Sequence, residues 1–211
     1  MDTNFIVIFS YFIVIYRIVQ LYGVLIAMSF QNQFTKTTTD ANLMETVHHG
    51  SAEYPFRYYY ENIALFDFKC IDWHWHSELE FIYIESGNVV FDIGTVHFEL
   101  NEGNGIMINS KILHRLQSSS DAIIPNFLFQ PSFIAPQDSL IYKKYINPVI
   151  SSSLEYLVFQ PDIPWQKKAL EIIKTIIAVQ ETEFNREIIV SMSVQQLWIL
   201  LLQNLPFDQF E

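Results

Sequence analysis

The sequence is poor in cysteine and in positive charge. A single cysteine, Cys70, stands among 211 residues. No intrachain disulfide can form, and a reducing compartment is the expected setting. Alone, two places before Asp72, Cys70 reads as a structural thiol rather than a reactive one. Only 12 Lys and Arg stand against 23 Asp and Glu, for a formal net charge of −11. Such a surface repels phosphate backbones, so no direct nucleic-acid binding by this chain is expected. Internal repeats and low-complexity tracts are missing from residues 55–130. Apolar and aromatic residues are abundant: half the chain is hydrophobic, with 18 Phe, 11 Tyr and 4 Trp. That suffices for one sizeable core and an appendage.

The stretch 5–30 is almost wholly apolar. No basic residue precedes it and no small-x-small cleavage site is obvious, which argues against a secretory signal. About 20 apolar residues span a bilayer, yet Arg17 near its middle would cost roughly 2.5–3.5 kcal/mol in lipid. Translation starting at Met28 or Met44 is the competing reading. Residues 1–30 are thus a hydrophobic leader, either a start-site artefact or a transmembrane anchor. A cytoplasmic location follows from the first, membrane attachment through residues 5–30 from the second. Residues 31–44, polar and Thr-rich, read as a flexible linker.

Between Pro55 and Gln130 short strands follow one another. They are expected at 56–60, 63–69, 79–85, 89–93, 96–100, 105–108, 113–117 and 123–129, rich in aromatic and β-branched residues and separated by turn signals such as Ser86-Gly87-Asn88 and Gly94-Thr95. Regular short strands with this punctuation predict an antiparallel sandwich or barrel. Beyond Ser139 a short helix is expected at 140–146, stopped by Asn147-Pro148, then a strand at 154–159. Trp165, Ala169, Ile172, Ile173, Ile176 and Ile177 recur at helical spacing, predicting an amphipathic helix from Pro164 to about Phe184. A second helix, roughly Arg186 to Asn204, ends before Pro206. Its run from Leu197 to Leu202 is apolar nearly all round, so the helix needs burial on two sides. Ile189, Leu197, Leu200 and Leu201 are the residues expected to dimerise.

The chemistry-bearing stretch is Trp73-His74-Trp75-His76-Ser77-Glu78-Leu79-Glu80. On one extended strand, His74, His76 and Glu80 would share a face and could converge on a divalent metal with a more distant imidazole, His114. Three His and one carboxylate suit Zn, Ni, Fe or Mn. The bland alternative is a hydrogen-bonded polar lining without metal, so no cofactor is certain. Ile82 shares the parity of the cluster and is a cavity-lining candidate. Glu78 is expected at the barrel mouth in water. His48, His49 and His97 lack partners at useful spacing and read as surface or turn residues. Arg115 reads as half of a solvent-facing ion pair.

This stretch resembles the first cupin motif, His-x-His-x3-Glu-x6-Gly, which runs without a gap from His74 through Glu80 to Gly87. Gly103 and His114 keep their places in the second motif, while Asn109, Lys111 and Ser118 stand where proline, glycine and asparagine would be. Lys111 enters a left-handed turn less cheaply than glycine. Over residues 44–204 the chain is similar to the sensor half of AraC-type transcription regulators. The likeness rests on His49-Gly50, Tyr54-Pro55-Phe56, the stretch from Trp73 to Tyr83, Glu102-Gly103-Asn104-Gly105, Ile108-Asn109-Ser110 and His114.

The resemblance implies a mainly β cupin barrel at 45–160, a jelly roll that binds a small effector through His74, His76, Glu80, Ile82 and His114. A helical dimerisation hairpin at 161–205 and a tail at 206–211 would follow. The effector would be a sugar or related metabolite, and the partner a second copy or a full-length regulator. No basic helix-turn-helix pattern is legible, so the implied function is effector binding and dimerisation without an activity of its own. The alternative is a small metal-dependent cupin enzyme of dioxygenase or isomerase type.

Overall fold

The computed structural model describes residues 36–182 and 184–206. The leader at 1–30 lies outside them. Among the described residues no helix is long and apolar enough to cross a membrane.

Among the described residues nine strands make two antiparallel sheets. They are β1 (Phe56–Asn62), β2 (Cys70–His74), β3 (Leu79–Tyr83), β4 (Asn88–Ile93), β5 (Val96–Asn101), β6 (Gly105–Ile108), β7 (His114–Gln117), β8 (Ile123–Phe129) and β9 (Tyr156–Phe159). One sheet has the order β1-β8-β3-β6-β9 and the other β2-β7-β4-β5. Face to face they form the expected cupin-type jelly roll, with α-helices after the eighth strand: the single turn α1 (Asn147–Ile150) and the longer α2 (Pro164–Val179) and α3 (Arg186–Asn204).

The two-residue period of β3 explains the layering. Ile82, with Ile84 just beyond the strand, joins the apolar cluster between the sheets, together with Phe91, Ile93, Leu116 and Ile124. Leu79 and Phe81 join a second cluster on the other side of the five-stranded sheet, shared with α2 and α3. There Phe81 lies nearly parallel to Phe127, Phe129 and Phe159, at 5.3, 5.8 and 6.3 Å between ring centroids. β3 is buried on both faces, so it reads as a continuous apolar run. Gly105 sits where α2 presses on this sheet. A Cβ there would lie 2.9 Å from Leu170 Cδ2 and 3.1 Å from the Ile82 carbonyl.

Several expectations are corrected. The strand expected at 63–69 is instead a pair of 3-10 turns, Ile63–Leu65 and Asp67–Lys69, with Asn62 capping the first through its side chain. Asn147-Pro148 does not stop the preceding helix. A π-helical turn, Tyr142–Ile146, runs directly into α1 with Pro148 in its first turn, where the missing N–H costs nothing. α2 stops at Val179 rather than near Phe184.

Residues 36–44, expected as part of a flexible linker, are tied down. Asp40 closes a turn by accepting from the Asn42 and Met44 amides. Trp75 donates its backbone N–H to Leu43 O and its indole N–H to Asn42 O. Of the residues assigned to dimerisation, Leu197 and Leu201 are 1% exposed within the core of this chain, and Ile189 and Leu200 are packed against it. Ile188, Met192 and Ile199 are the apolar side chains that α3 leaves exposed, at 58%, 65% and 55%. Periodicity shows that a helix has two apolar sides, but the neighbouring α2 decides which of them is used up internally.

Candidate functional site

Four side chains converge at one end of the space between the sheets, by a different route from a single strand. His74 ends β2 in the four-stranded sheet, and His76 lies in the crossing segment. Glu80 lies on β3 in the five-stranded sheet. β2 and β7 pair antiparallel with His74 directly opposite His114, which brings their rings to 4.1 Å between centroids. His76 sits 5.8 Å from His74 and 5.3 Å from His114 by the same measure. Glu80 reaches across from the other sheet, with Oε2 3.2 Å from His114 Nε2 and 3.4 Å from His76 Nε2.

The ring orientations are set by backbone carbonyls. His74 Nδ1 is 2.7 Å from Asp72 O, His76 Nδ1 3.2 Å from Glu78 O, and His114 Nδ1 2.9 Å from Ile112 O. A carbonyl only accepts, so in each ring Nδ1 carries the hydrogen and donates it. In a neutral ring the Nε2 lone pair is then left for the centre, the arrangement that outer carbonyls impose on metal-binding histidines. The three histidines each offer a ligand nitrogen within 4.8 Å of the others. His76 Nε2, His114 Nε2 and Glu80 Oε2 are buried without a hydrogen-bond partner. Lone pairs facing a carboxylate repel one another unless positive charge lies among them.

The turn before His114 bears the departure seen in the sequence. Lys111 takes φ +64°, a left-handed conformation that costs a non-glycine residue roughly 1–2 kcal/mol. Its amide donates to His76 O at 2.8 Å, locking the His76 segment to the turn that carries His114.

A cavity of about 50 Å³ adjoins the cluster. Its walls include His74, Glu80, Glu45, His49, Tyr59, Glu61 and Asn126, with Phe66, Ile71, Leu116, Ile124 and Leu128 supplying the apolar side. Ile82, expected to line a cavity, is fully buried in the apolar cluster instead. Glu78 is not out in water: it is 7% exposed and accepts from Gln130 Nε2 at 2.6 Å.

His49, expected on the surface, is buried. Its Nε2–H donates to Glu45 at 2.9 Å, its Nδ1 meets Tyr59 Oη at 2.9 Å, and its ring stands edge-on to His76. Glu45 stands four residues before His49, but Tyr59 and His76 reach it only through the fold. Asn126 could have been found, because it is the one amide in the otherwise apolar strand Ile123–Phe129. His48 is exposed, and His97 is a surface residue bonded to Asp92 at 2.6 Å. Arg115 pairs with Asp92 through Nε and Nη2 at 3.0 and 2.8 Å. Cys70 is half-buried, and burial raises its thiol pKa.

Burial, reinforced by repulsion from His114 and His76, holds the His74 pKa well below its ordinary 6.5. Burial also pulls His49 down, but the Glu45 hydrogen bond and the charges of Glu45, Glu78 and Glu80 carry it above 6.5. Burial pushes Glu80 up, and the His114 and His76 imidazoles outweigh it, leaving the carboxyl far below its ordinary 4.5.

A pH dependence follows for chelator-treated protein. Below about pH 6.5 the unfolded chain takes up a proton that folded His74 refuses, so stability falls as pH drops. Above it, folded His49 keeps a proton that the unfolded chain releases, so stability falls as pH rises through the folded His49 value. Urea melts should therefore show greatest stability near pH 6.5, and His49→Gln should flatten the alkaline side. An unchanged alkaline slope in that variant would contradict the assignment.

Two antiparallel sheets around a buried His/Glu cluster, followed by a helical hairpin, define a cupin-type domain. Residues 66–137 match the family described as the AraC-like ligand binding domain. An uncharacterized HTH-type transcriptional regulator of Bacillus subtilis (strain 168), YdeC, is 31% identical over 179 residues, or 82% of this chain. Residues 66–137 are thus similar to an AraC-like ligand-binding domain, and the chain as a whole is similar to an HTH-type transcriptional regulator. It spans 61% of the length of that relative.

Among solved structures, a cupin-2 domain protein from Shewanella frigidimarina NCIMB 400 is 14% identical. The overlap covers 35% of this chain and 69% of that one, with TM-score 0.31. An oxalate decarboxylase of Bacillus subtilis with Mn(II) centres is 21% identical over 29% of this chain and 18% of its own, with TM-score 0.28.

Proposed function

We propose that this cytoplasmic domain senses a small molecule in the cavity between its sheets and transmits the bound state to a partner through α3. The observation that carries the reading is the cavity itself: mixed polar and apolar walls inside a domain of the ligand-binding family. A ligand that favours one arrangement of these walls shifts the population toward it. The exposed residues Ile188, Met192 and Ile199 supply the surface for a second copy or a full-length regulator. DNA contact belongs to that partner rather than to this acidic chain.

The donor set also fits a divalent metal. His74, His76 and His114 would hold it through Nε2 and Glu80 through Oε2, since these inward-facing atoms include the buried ones without partners. Bound there, it would supply a Lewis-acid charge to anchor an effector oxygen. The same donor set favours a second reading, a small metal-dependent enzyme. The exposed apolar side of α3 favours the sensor, because catalysis needs no such surface.

The test is a thermal-shift screen of the full chain against small metabolites, sugars included, together with sedimentation at micromolar concentration. At least one metabolite class should raise the melting midpoint, and Ile199→Asp should shift a dimer toward monomer. A screen without a hit, or a wild-type chain that sediments only as monomer, would remove the corresponding half of the proposal.

A further inference from the structure

The turn between β6 and β7 touches the His cluster on one side and the helices on the other. It contains two of the departures from the cupin motif, Asn109 and Lys111. On the cluster side the Lys111 amide donates to His76 O at 2.8 Å, and the Ser110 hydroxyl to Ser77 O at 2.7 Å. Ile112 O accepts from His114 Nδ1 at 2.9 Å. Two of the three imidazoles are therefore held by one short stretch of backbone.

On the other side, Asn109 is 1% exposed and its side-chain amide is fully engaged. Nδ2 donates to Val149 O at 3.1 Å and to Leu154 O at 2.7 Å, while Oδ1 accepts from the Ser110 amide at 2.8 Å. The proline of the motif has no side-chain group that could do this. Val149 belongs to α1, which continues the π-helical turn Tyr142–Ile146. In that turn Tyr145 O accepts the indole N–H of Trp198, from α3, at 3.0 Å. Tyr142, Ile146 and Val149 share one buried cluster with Leu197, Trp198 and Leu201.

Contacts thus run without a break from His76 and His114 to the helix that exposes Ile188, Met192 and Ile199. Connection alone does not couple two sites; an element with two discrete arrangements must lie between them. The π-helical turn supplies one. Such turns are rare and gather at functional sites, and a shift to ordinary α-helical bonding would move Tyr145 O, and Trp198 with it.

We propose that the turn 109–112 and the helical segment 142–150 relay the state of the His cluster to α3, with Asn109 and Trp198 as the two junctions. An occupant that fixes His76 and His114 fixes the turn they share. Through Asn109 it favours one arrangement of the π-helical turn, and through Trp198 one placement of α3. The relay rests on the sensing function proposed above and gives it a route.

Sedimentation equilibrium of the full chain tests it, with Zn²⁺ alone as the probe and chelator-treated protein as the reference. Zn²⁺ should change the dimer Kd by at least about fivefold, the lower end of usual couplings between sites. Trp198→Phe keeps an aromatic ring and loses the N–H. It should still bind Zn²⁺ and still dimerise, with the Zn²⁺ effect cut to below about twofold. If that variant does not fold, Asn109→Ala breaks the other junction and carries the same expectation. A wild-type chain that binds Zn²⁺ and dimerises with an unchanged Kd overturns the relay and leaves sensing and dimerisation intact. So does an undiminished Zn²⁺ effect in either folded variant. A wild-type chain that binds no Zn²⁺, or sediments only as monomer, removes the relay together with the function beneath it. Chelator competition and sedimentation of the wild type alone tell these failures apart.

Discussion

Glutamine in place of His114 should lower the affinity of the chain for Zn²⁺ or Mn²⁺ by at least about 100-fold. Even outer-sphere partners of metal ligands cost roughly 10–100-fold when removed, and His114 is expected to bind the ion directly. The side chain is wholly buried, its tautomer is set by Ile112 O, and its Nε2 finds no hydrogen-bond partner of its own. Glutamine keeps most of the volume, so the loss reports the ligand rather than a collapsed cavity. Competition against a chromogenic chelator measures it, with His97→Gln, a change at the surface, as the control. Equal metal affinity in the His114 variant and the wild type would refute metal binding at this cluster and leave the polar lining as its role.

The second large effect concerns the seat of the helical hairpin. Phe81→Ala should destabilise the chain by about 3–5 kcal/mol, the usual cost of deleting a buried phenyl ring. The ring is 1% exposed and lies against Phe127, Phe129 and Phe159 on the side of the sheet that α2 and α3 cover. Its loss leaves a hole between two layers that cannot easily close, because strand pairing on both edges of β3 holds the backbone in place. Urea denaturation should show a lower midpoint with an unchanged slope. A loss below about 1 kcal/mol would mean that the layers repack, contrary to the usual rigidity of cores.

These two predictions differ in how far the sequence alone foresees them. The Phe81 side of β3 is legible, since alternation along Leu79–Tyr83 separates Phe81 from Glu80 and Ile82. The presence of His74, His76, Glu80 and His114 in one cluster is legible too, from spacing and family resemblance. The route was not. A strand of constant direction would present His74, His76 and Glu80 in a row, whereas the chain leaves one sheet after His74 and enters the other at Leu79. The residues that shape the cavity were largely invisible, because the Glu45–His49 segment, Tyr59 and Glu61 of β1, and Asn126 of β8 are brought together only by the folding of segments far apart in the chain.

What the sequence by itself determined is the local and the periodic. Strand and helix positions follow from side-chain alternation, the acidic surface from composition, and the metal-type donor set from His and Glu at cupin spacing. Tertiary structure alone decided which groups are spent and which remain. Packing of α2 on α3 uses Leu197 and Leu201 and leaves Ile188, Met192 and Ile199 exposed. The carbonyls of Asp72, Glu78 and Ile112 take the Nδ1 hydrogens and turn three imidazoles inward. Side-chain chemistry is a property of the residue, but the state in which it is offered depends on neighbours that the chain supplies only once it is folded.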